Sequence, residues 1–381
     1  MSTKKDKFTK KDSFFMNLAF NLARERSGLT GENPPVGCVI VKNNEIISVG
    51  QTGIMGRPHA EYNAIKSTAK KLKGSTMYVS LEPCTHYGKT PPCSSLIIKS
   101  KIKKVIFSIL DIDVRTKDKS TKLLKSKNIL VKKGILKKEG NEIYKSYTHN
   151  KTKNLPFVTG KLAISNDNYI YSKKKLRITN KYSDKIAHLL RYRNDSILIS
   201  SKTLNKDNPK LNCRIEGLSK FSPKRIILDR LLSIKKNSYI YSSTVNNNTV
   251  IFYNSGKQKK VNLLKKKGIK LIKLPVNKEN LFDLKLVLKK IFSIGCRNLL
   301  VEAGKNLTDS FLKNKLFNEF YLFKSSNKLG SAGKINVSNQ LRQLNIKYKN
   351  KSNKLSLFTG SLINFIPLFV NRFIFFCLPL L

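Results

Sequence analysis

An imidazole, a carboxylate and two thiols stand in a fixed order along this chain: His59-Ala60-Glu61, then Pro83-Cys84, then Cys93. A catalytic zinc takes three protein ligands from such groups and keeps a fourth position open. A Glu two residues from the His is close enough to serve a water there without ligating the metal itself. For the set to act together, the fold must bring separated points of the chain onto one ion. No other feature of the sequence restricts the fold as much.

The flanking patterns meet that demand. Asp12 can cap a helix carrying Phe15, Leu18, Ala19, Leu22 and Ala23 on one face. Val36 to Val41 reads as a buried strand, Asn43-Asn44 as a turn, and Glu45 to Val49 as the return strand. Apolar residues at Ala60, Ala64, Ile65, Ala69 and Leu72 predict a helix from His59 to Leu72, with His59 and Glu61 at its start. Met77 to Leu81 is a strand leading into Pro83-Cys84. Pro91-Pro92-Cys93 opens a helix through Leu96, Ile97 and Ile98, and Lys104 to Leu110 is another strand. The ligands then lie at helix starts, where the positive end favours thiolate over thiol.

From Glu139 to Leu155 the chain turns polar and loses periodicity, which places a domain boundary there. A second alternating pattern follows. Strands are expected at Phe157 to Ile164, Ser196 to Ser200, Arg225 to Leu228, Thr249 to Tyr253, Ile269 to Leu274 and Asn298 to Val301. Helices are expected at Lys181 to Tyr192, around Asn280 to Phe292, and at Asn306 to Leu312. Alternation of this kind argues for a mostly parallel sheet. From Leu355 onward the chain is strongly apolar, but Asn364, Pro367, Asn371, Arg372 and Pro379 interrupt it. A core strand from Leu355 to Ile366 with an apolar extension at 367–381 fits better than a membrane span.

Composition sets outer limits. The 381 residues, 40% of them hydrophobic, suffice for two or three cored domains. The cysteines show no disulfide spacing, which points to a reducing, cytoplasmic compartment. The N-terminus is polar and lacks the apolar stretch of a signal peptide. A formal net charge of +52 could mark a nucleic-acid binder. The lysines are spread along the chain, however, and a specific basic footprint is clustered. No specific nucleic-acid partner is expected, while a phosphorylated small substrate would gain from the positive field.

The H-x-E…P-C order is the pattern of zinc deaminases acting on nitrogen bases. Their chemistry would have Glu61 take a proton from water and return it to the leaving amine. Cytidine and tRNA adenosine deaminases usually place their thiols as C-x-x-C. Here the run is Pro83-Cys84-Thr85-His86-Tyr87-Gly88-Lys89-Thr90-Pro91-Pro92-Cys93, with Asn33-Pro34-Pro35-Val36-Gly37 upstream. This arrangement resembles the bifunctional deaminase–reductase of riboflavin biosynthesis, the RibD family.

The resemblance continues in Leu155-Pro156-Phe157-Val158-Thr159-Gly160-Lys161-Leu162-Ala163, in Thr203 to Leu211 with Arg214, and in Val301-Glu302-Ala303-Gly304. It implies an α/β chain in two parts. A cytidine-deaminase-like three-layer domain would span 12–145, and a dihydrofolate-reductase-like α/β domain would span 155–366. It implies Zn2+ on His59, Cys84 and Cys93, with Glu61 as proton shuttle and Asn33, His86 and Asp111 at the pyrimidine. In the second domain Arg191, Leu211, Arg214 and Glu302 would hold the substrate. Thr203, Asp207, Gly304, Lys305, Asn306 and Leu307 would contact NADPH. There is no G-x-G-x-x-G for a Rossmann site. A homo-oligomer acting on a small phosphorylated pyrimidine is expected.

The chain departs from the family pattern at three places. The family's D-P-N-P is Asp111-Ile112-Asp113-Val114 here. Its S-L-D-G-K is Ser165-Asn166-Asp167-Asn168-Tyr169, where Asn168 can stand in for a Gly at positive φ. Its W-I-T is Arg177-Ile178-Thr179. Two rivals stay open from sequence: these departures leave an active deaminase with a degraded, non-catalytic reductase domain, and the +52 charge leaves a deaminase of nucleic-acid bases.

Overall fold

The computed structural model describes residues 7–174, 177–245 and 248–342, and the backbone of 355–359. The apolar extension at 367–381 lies outside the described residues. The chain divides into two compact units, Met1–Val158 with His188–Val301, and Thr159–Ala187 with Glu302–Leu381.

In chain order the first elements are α1 (Lys10–Glu25), β1 (Gly37–Lys42), β2 (Glu45–Gln51), α2 (Ala60–Lys66), β3 (Thr76–Leu81), α3 (Cys93–Lys99), β4 (Lys104–Ile109), α4 (Lys119–Ser126), β5 (Leu130–Lys133), α5 (Lys137–Ile143) and α6 (Lys145–Lys153). Their strands form one sheet in the order β2-β1-β3-β4-β5. The β1 pairs are antiparallel, while β3–β4 and β4–β5 are parallel. Period-2 alternation makes three layers of it. Cys38, Ile40, Met77, Val79, Leu81, Val105 and Phe107 face a core shared with Ala60, Ala64, Ile97 and Leu124. The intervening Val39, Val41, Tyr78 and Ile106 face the opposite core, with Phe15, Met16, Ala19 and Phe20 of α1. Helices thus cover both faces of one sheet.

The same unit holds α8 (Ser201–Asp207), α9 (Tyr239–Ser242), α10 (Gln258–Lys266) and α11 (Leu284–Ser293), with β8 (Ser196–Ser200), β9 (Lys224–Leu228), β10 (Thr249–Tyr253), β11 (Lys270–Lys273) and β12 (Asn298–Glu302). These strands run parallel in the order β11-β10-β9-β8-β12. Their centres are continuous buried runs, Ile197-Leu198-Ile199, Ile226-Ile227, Val250-Ile251-Phe252 and Leu299-Leu300-Val301. Such runs mark a parallel sheet covered on both faces. Asp195 pins the starts of β8 and β12 together, its Oδ2 accepting from the amides of Arg297 (2.7 Å) and Asn298 (3.1 Å). Burial pushes the Asp195 carboxyl up to about 6. A raised acid favours the fold below its unfolded pKa, and that contribution fades as pH climbs through about 6. Asp195→Asn keeps the acceptor without the charge. It should gain on wild type by about 2 kcal/mol between pH 4 and pH 8. Thermal unfolding curves that run parallel across that range would rule this out.

The second unit is built on β6 (Phe157–Ile164), β7 (Tyr169–Ser172), α7 (Lys181–Arg193), α12 (Lys305–Lys313), β13 (Glu319–Lys324), β14 (Gly333–Asn336) and β15 (Leu355–Thr359), several of which cross its edges. Strands β6-β13-β15 are parallel, and β7 and β14 form an antiparallel ribbon. Asn168 takes the left-handed backbone, φ 64, as expected of its place in a Gly position. Among the described residues no helix is long and apolar enough to cross a membrane.

Four expectations need correcting. Asp12 does not cap α1; Thr9 does, and Asp12 answers from inside the first turn. Thr9 Oγ1 accepts from the Asp12 amide (3.0 Å) while Asp12 Oδ2 accepts from the Thr9 amide (2.8 Å). Helix α2 stops at Lys66, because Ser67 turns the chain there and Ala69 is exposed. The polar stretch before Leu155 is helical, as α5 and α6. It buries Gly140, Tyr144, Tyr147 and Asn150 in place of aliphatic residues, which hides the helical period. Helix α11 begins only after Asp283, which accepts from the Lys285 (2.8 Å) and Leu286 (3.4 Å) amides, while Asn277 folds the preceding residues into a turn.

Candidate active site

His59 is the N-cap of α2, in extended backbone, and its side chain makes no capping bond. Its imidazole is therefore available elsewhere. Cys93 opens α3 directly after Pro92, whose ring suits a helix start. Cys84 lies in the loop after β3, held by the Cys93 amide on its sulfur (3.3 Å) and the Ser94 amide on its carbonyl (3.1 Å). His59 Nδ1 is 3.6 Å from Cys84 Sγ and 3.4 Å from Cys93 Sγ. The three donor atoms lie within 4.8 Å of one another. Two thiols and an imidazole at this spacing suit a tetrahedral zinc with an open fourth position.

The electrostatics agree with that use. Hydrogen bonding with the Cys93 thiol, and then with His59, holds Cys84 far below an ordinary thiol, while the same partnership and burial push Cys93 up. The Cys84 bond raises His59. Glu61, in the first turn of α2, is 4% exposed. Burial first, and the Cys84 charge next, lift its carboxyl to about 7, so it can both take and give a proton near neutrality. The seating of α2 depends on Gly50 in β2. A Cβ there would stand 2.3 Å from the Ala60 carbonyl oxygen and 2.4 Å from the Ala64 amide, so only glycine lets α2 lie this close.

The other expected deaminase residues are each fixed by their own neighbours. Asn33 is fixed by its amide on the Gly56 carbonyl (2.8 Å) and by Thr30 Oγ1 on its own carbonyl (2.7 Å). His86 Nδ1 meets Thr116 Oγ1 at 3.1 Å. Asp111 is buried and accepts from Tyr147 (3.0 Å); burial raises it. Three contributors were not anticipated. Glu82, 3% exposed, gathers the Asp111 and Asp118 amides and the Ser120 hydroxyl. Arg57 holds the inter-cysteine loop by Thr90 Oγ1 (2.8 Å). Tyr147 comes from α6. An acid directly before Pro83-Cys84 was the one available signal.

For the second half, the first unit brings Arg191 and Arg214 onto Asn212. Arg191 Nη1 donates to its carbonyl (3.2 Å) and Arg214 Nη1 to its side chain (3.0 Å). Leu211 is 2% exposed and left-handed, φ 55, so it shapes this corner through its backbone. Thr203 and Asp207 lie on α8, where Ser200 caps the helix by accepting from the Thr203 amide (3.4 Å). In the second unit Glu302 ends β12, and Gly304 is the N-cap of α12 in extended backbone. A Cβ on Gly304 would meet nothing within 4 Å, and Lys305, Asn306 and Leu307 form the first turn behind it. Open space at a helix start with a cation beside it suits the phosphates of a dinucleotide. Arg177 is engaged by Asp184, beside a solvent-open cleft that Lys324 and Asn327 also line.

Residues 9–109 match the cytidine and deoxycytidylate deaminase zinc-binding region, and residues 156–355 match the RibD C-terminal domain. The riboflavin biosynthesis protein RibD of Aquifex aeolicus is 33% identical over 347 residues, covering 90% of this chain and 95% of that one. Its counterpart from Bacillus amyloliquefaciens is 34% identical over 315 residues, covering 82% and 84%. Among solved structures, Acinetobacter baumannii RibD superposes with a TM-score of 0.74 at 26% identity, covering 87% of this chain and 93% of its own. A diaminohydroxyphosphoribosylaminopyrimidine deaminase/5-amino-6-(5-phosphoribosylamino)uracil reductase from Thermotoga maritima gives 0.74 at 29% identity, covering 85% and 89%. The expected fold class stands: α/β, with a cytidine-deaminase-like part followed by the reductase-like part.

Proposed function

We infer the function from one premise: this chain belongs to the RibD family of riboflavin biosynthesis. It is a bifunctional enzyme that carries out a deamination and a reduction. The activities printed for the Thermotoga maritima relative supply the substrates. The first half, over 12–145, would deaminate the phosphoribosylamino-substituted diaminopyrimidine. The second, over 155–366, would reduce the ribosyl group of the resulting aminouracil to ribityl. The observation that carries this reading is the convergence of His59, Cys84 and Cys93 with Glu61 buried behind them.

Zinc held by His59, Cys84 and Cys93 would supply Lewis-acid activation of water near neutral pH. The chain's own groups do the rest. Glu61 takes a proton from the attacking water and delivers it to the departing amine, and ammonia leaves. Asn33, His86 and Asp111 would orient the pyrimidine. In the second half NADPH would supply hydride; the family resemblance gives Thr203 and Asp207, and separately the Gly304–Leu307 turn, as its expected contacts. Arg191 and Arg214 would grip the substrate phosphate from the Asn212 corner, where planar guanidinium forks match phosphate oxygens. By the family resemblance, Leu211 and Glu302 are the other expected substrate contacts. The free thiols of Cys38, Cys84, Cys93, Cys213 and Cys296 support a reducing, cytosolic setting.

The test is an assay of the zinc-loaded chain that follows ammonia and NADPH absorbance separately. Ammonia should appear from the diaminopyrimidine without NADPH. NADPH should be consumed when the deaminated aminouracil is supplied. Ammonia release with no NADPH consumption on that supplied intermediate would leave a deaminase alone.

A further inference from the structure

We propose that Arg115 is a specificity-determining residue of the deaminase half: it masks the Asp113 carboxylate so that the rim of the site admits a substrate carrying phosphate. This rests on the reading of that half as a deaminase of a phosphorylated pyrimidine.

The loop from Asp111 to Thr116 is fastened to the flank of Cys84. Thr85 Oγ1 donates to the Arg115 carbonyl (3.1 Å), His86 meets Thr116 (3.1 Å), and the Asp111 amide donates to Glu82 (3.2 Å). The loop therefore borders the segment that carries Cys84. The loop carries two acids, with the Asp113 amide on Asp111 Oδ1 at 3.0 Å. Like charges brought together where water is thin are strongly unfavourable, so a bare Asp113 would repel a phosphate.

The structure cancels that charge. Arg115 grips Asp113 with both arms of its fork, Nε to Oδ1 at 2.9 Å and Nη2 to Oδ2 at 2.6 Å. Lys151 Nζ stands 3.9 Å from Oδ2. The Arg115 side chain is 58% exposed and that of Asp113 only 12%, so the guanidinium covers the acid and faces outward. Hydrogen bonding from Arg115 holds the Asp113 carboxyl well below the usual carboxylate range, so the acid stays charged at any working pH. Among the described residues the guanidinium donates to Asp113 alone. The Arg115 amide also donates to Asp113, at 3.0 Å, so the loop turn survives loss of the side chain. The pair is thus a charge device and not a brace.

The experiment compares wild type, Arg115→Ala, Asp113→Asn and the double variant as full-length, zinc-loaded chains. Ammonia release is measured on the phosphorylated pyrimidine and on its dephosphorylated counterpart, at low and high salt. Arg115→Ala should raise KM for the phosphorylated substrate about tenfold, with kcat within about twofold, and salt should shrink the penalty. The dephosphorylated substrate should show no penalty. Asp113→Asn on top of Arg115→Ala should restore KM to within about threefold of wild type. An unchanged KM in Arg115→Ala overturns the proposal. So does an unrescued double variant, which would make the guanidinium itself the phosphate ligand, or an equal penalty on both substrates. Wild type that releases no ammonia from the phosphorylated substrate would instead overturn the deaminase reading underneath it.

Discussion

Glu61→Gln should lower ammonia release by about 1,000-fold or more while leaving bound zinc unchanged. The side chain is almost fully buried at the start of α2, and its carboxyl is raised to about 7 chiefly by that burial. Gln fills the same volume and keeps a hydrogen-bonding head, so α2 should stay seated against β2. What is lost is the capacity to take a proton from water and hand it to the leaving nitrogen. NADPH consumption on the supplied aminouracil should stay within about twofold of wild type, because no proposed reductase residue is altered. Retention of ammonia release by this variant would remove Glu61 from the mechanism. Loss of zinc together with activity would make it a structural residue.

The second large effect concerns Cys84. Replacing it with Ser should weaken zinc binding by more than about 100-fold and remove deamination with it. Cys84 is the thiol that hydrogen bonding keeps lowest, and it contacts both His59 and the Cys93 amide. Ser retains a weak acceptor for that amide, so the Cys84–Cys93 loop should hold its path while the soft ligand is gone. Metal content by elemental analysis reads the effect directly. Chelation of wild type should imitate the variant and be reversed by added zinc, whereas the variant should stay inactive. Stoichiometric zinc in Cys84→Ser would show that the ligand set was wrongly drawn.

Much of this architecture was legible because its signals are local. The continuous apolar run Cys38-Val39-Ile40-Val41 reports a strand covered on both faces, and the Asn43-Asn44 turn and the buried runs of the parallel strands were equally open to reading. The convergence of His59, Cys84 and Cys93 was legible too, since an imidazole and a thiol at helix starts with a second thiol in the loop between leave few other uses. What escaped depends on partners distant in sequence or on polar residues used as core. Tyr144, at the joint between α5 and α6, and Tyr147 in α6 are buried where aliphatic residues would be expected, so a helical region reads as a linker. Ala69 has helical spacing without burial, so α2 was drawn too long. Glu82 shows its use only when Asp111, Asp118 and Ser120 arrive around it. Asp113 read alone is a departure from the family; beside Arg115 it is half of a neutral pair.

The first compact unit is discontinuous: the chain leaves it at Val158 and returns at His188. During synthesis the five-stranded sheet, with Glu61 and its zinc ligands, is complete once β5 has emerged. Strand β6 pairs with β13, a much later segment, from Glu319↔Thr159 to Lys324↔Ile164. The deaminase layer can therefore mature on the ribosome while the reductase layer is still being translated. A cut at the functional boundary would not yield clean modules either, because the amide of Phe157 (2.8 Å) and the side chain of Asn150 (3.0 Å) both donate to the Arg297 carbonyl. Separating the two activities into independent genes would require a new surface at that seam.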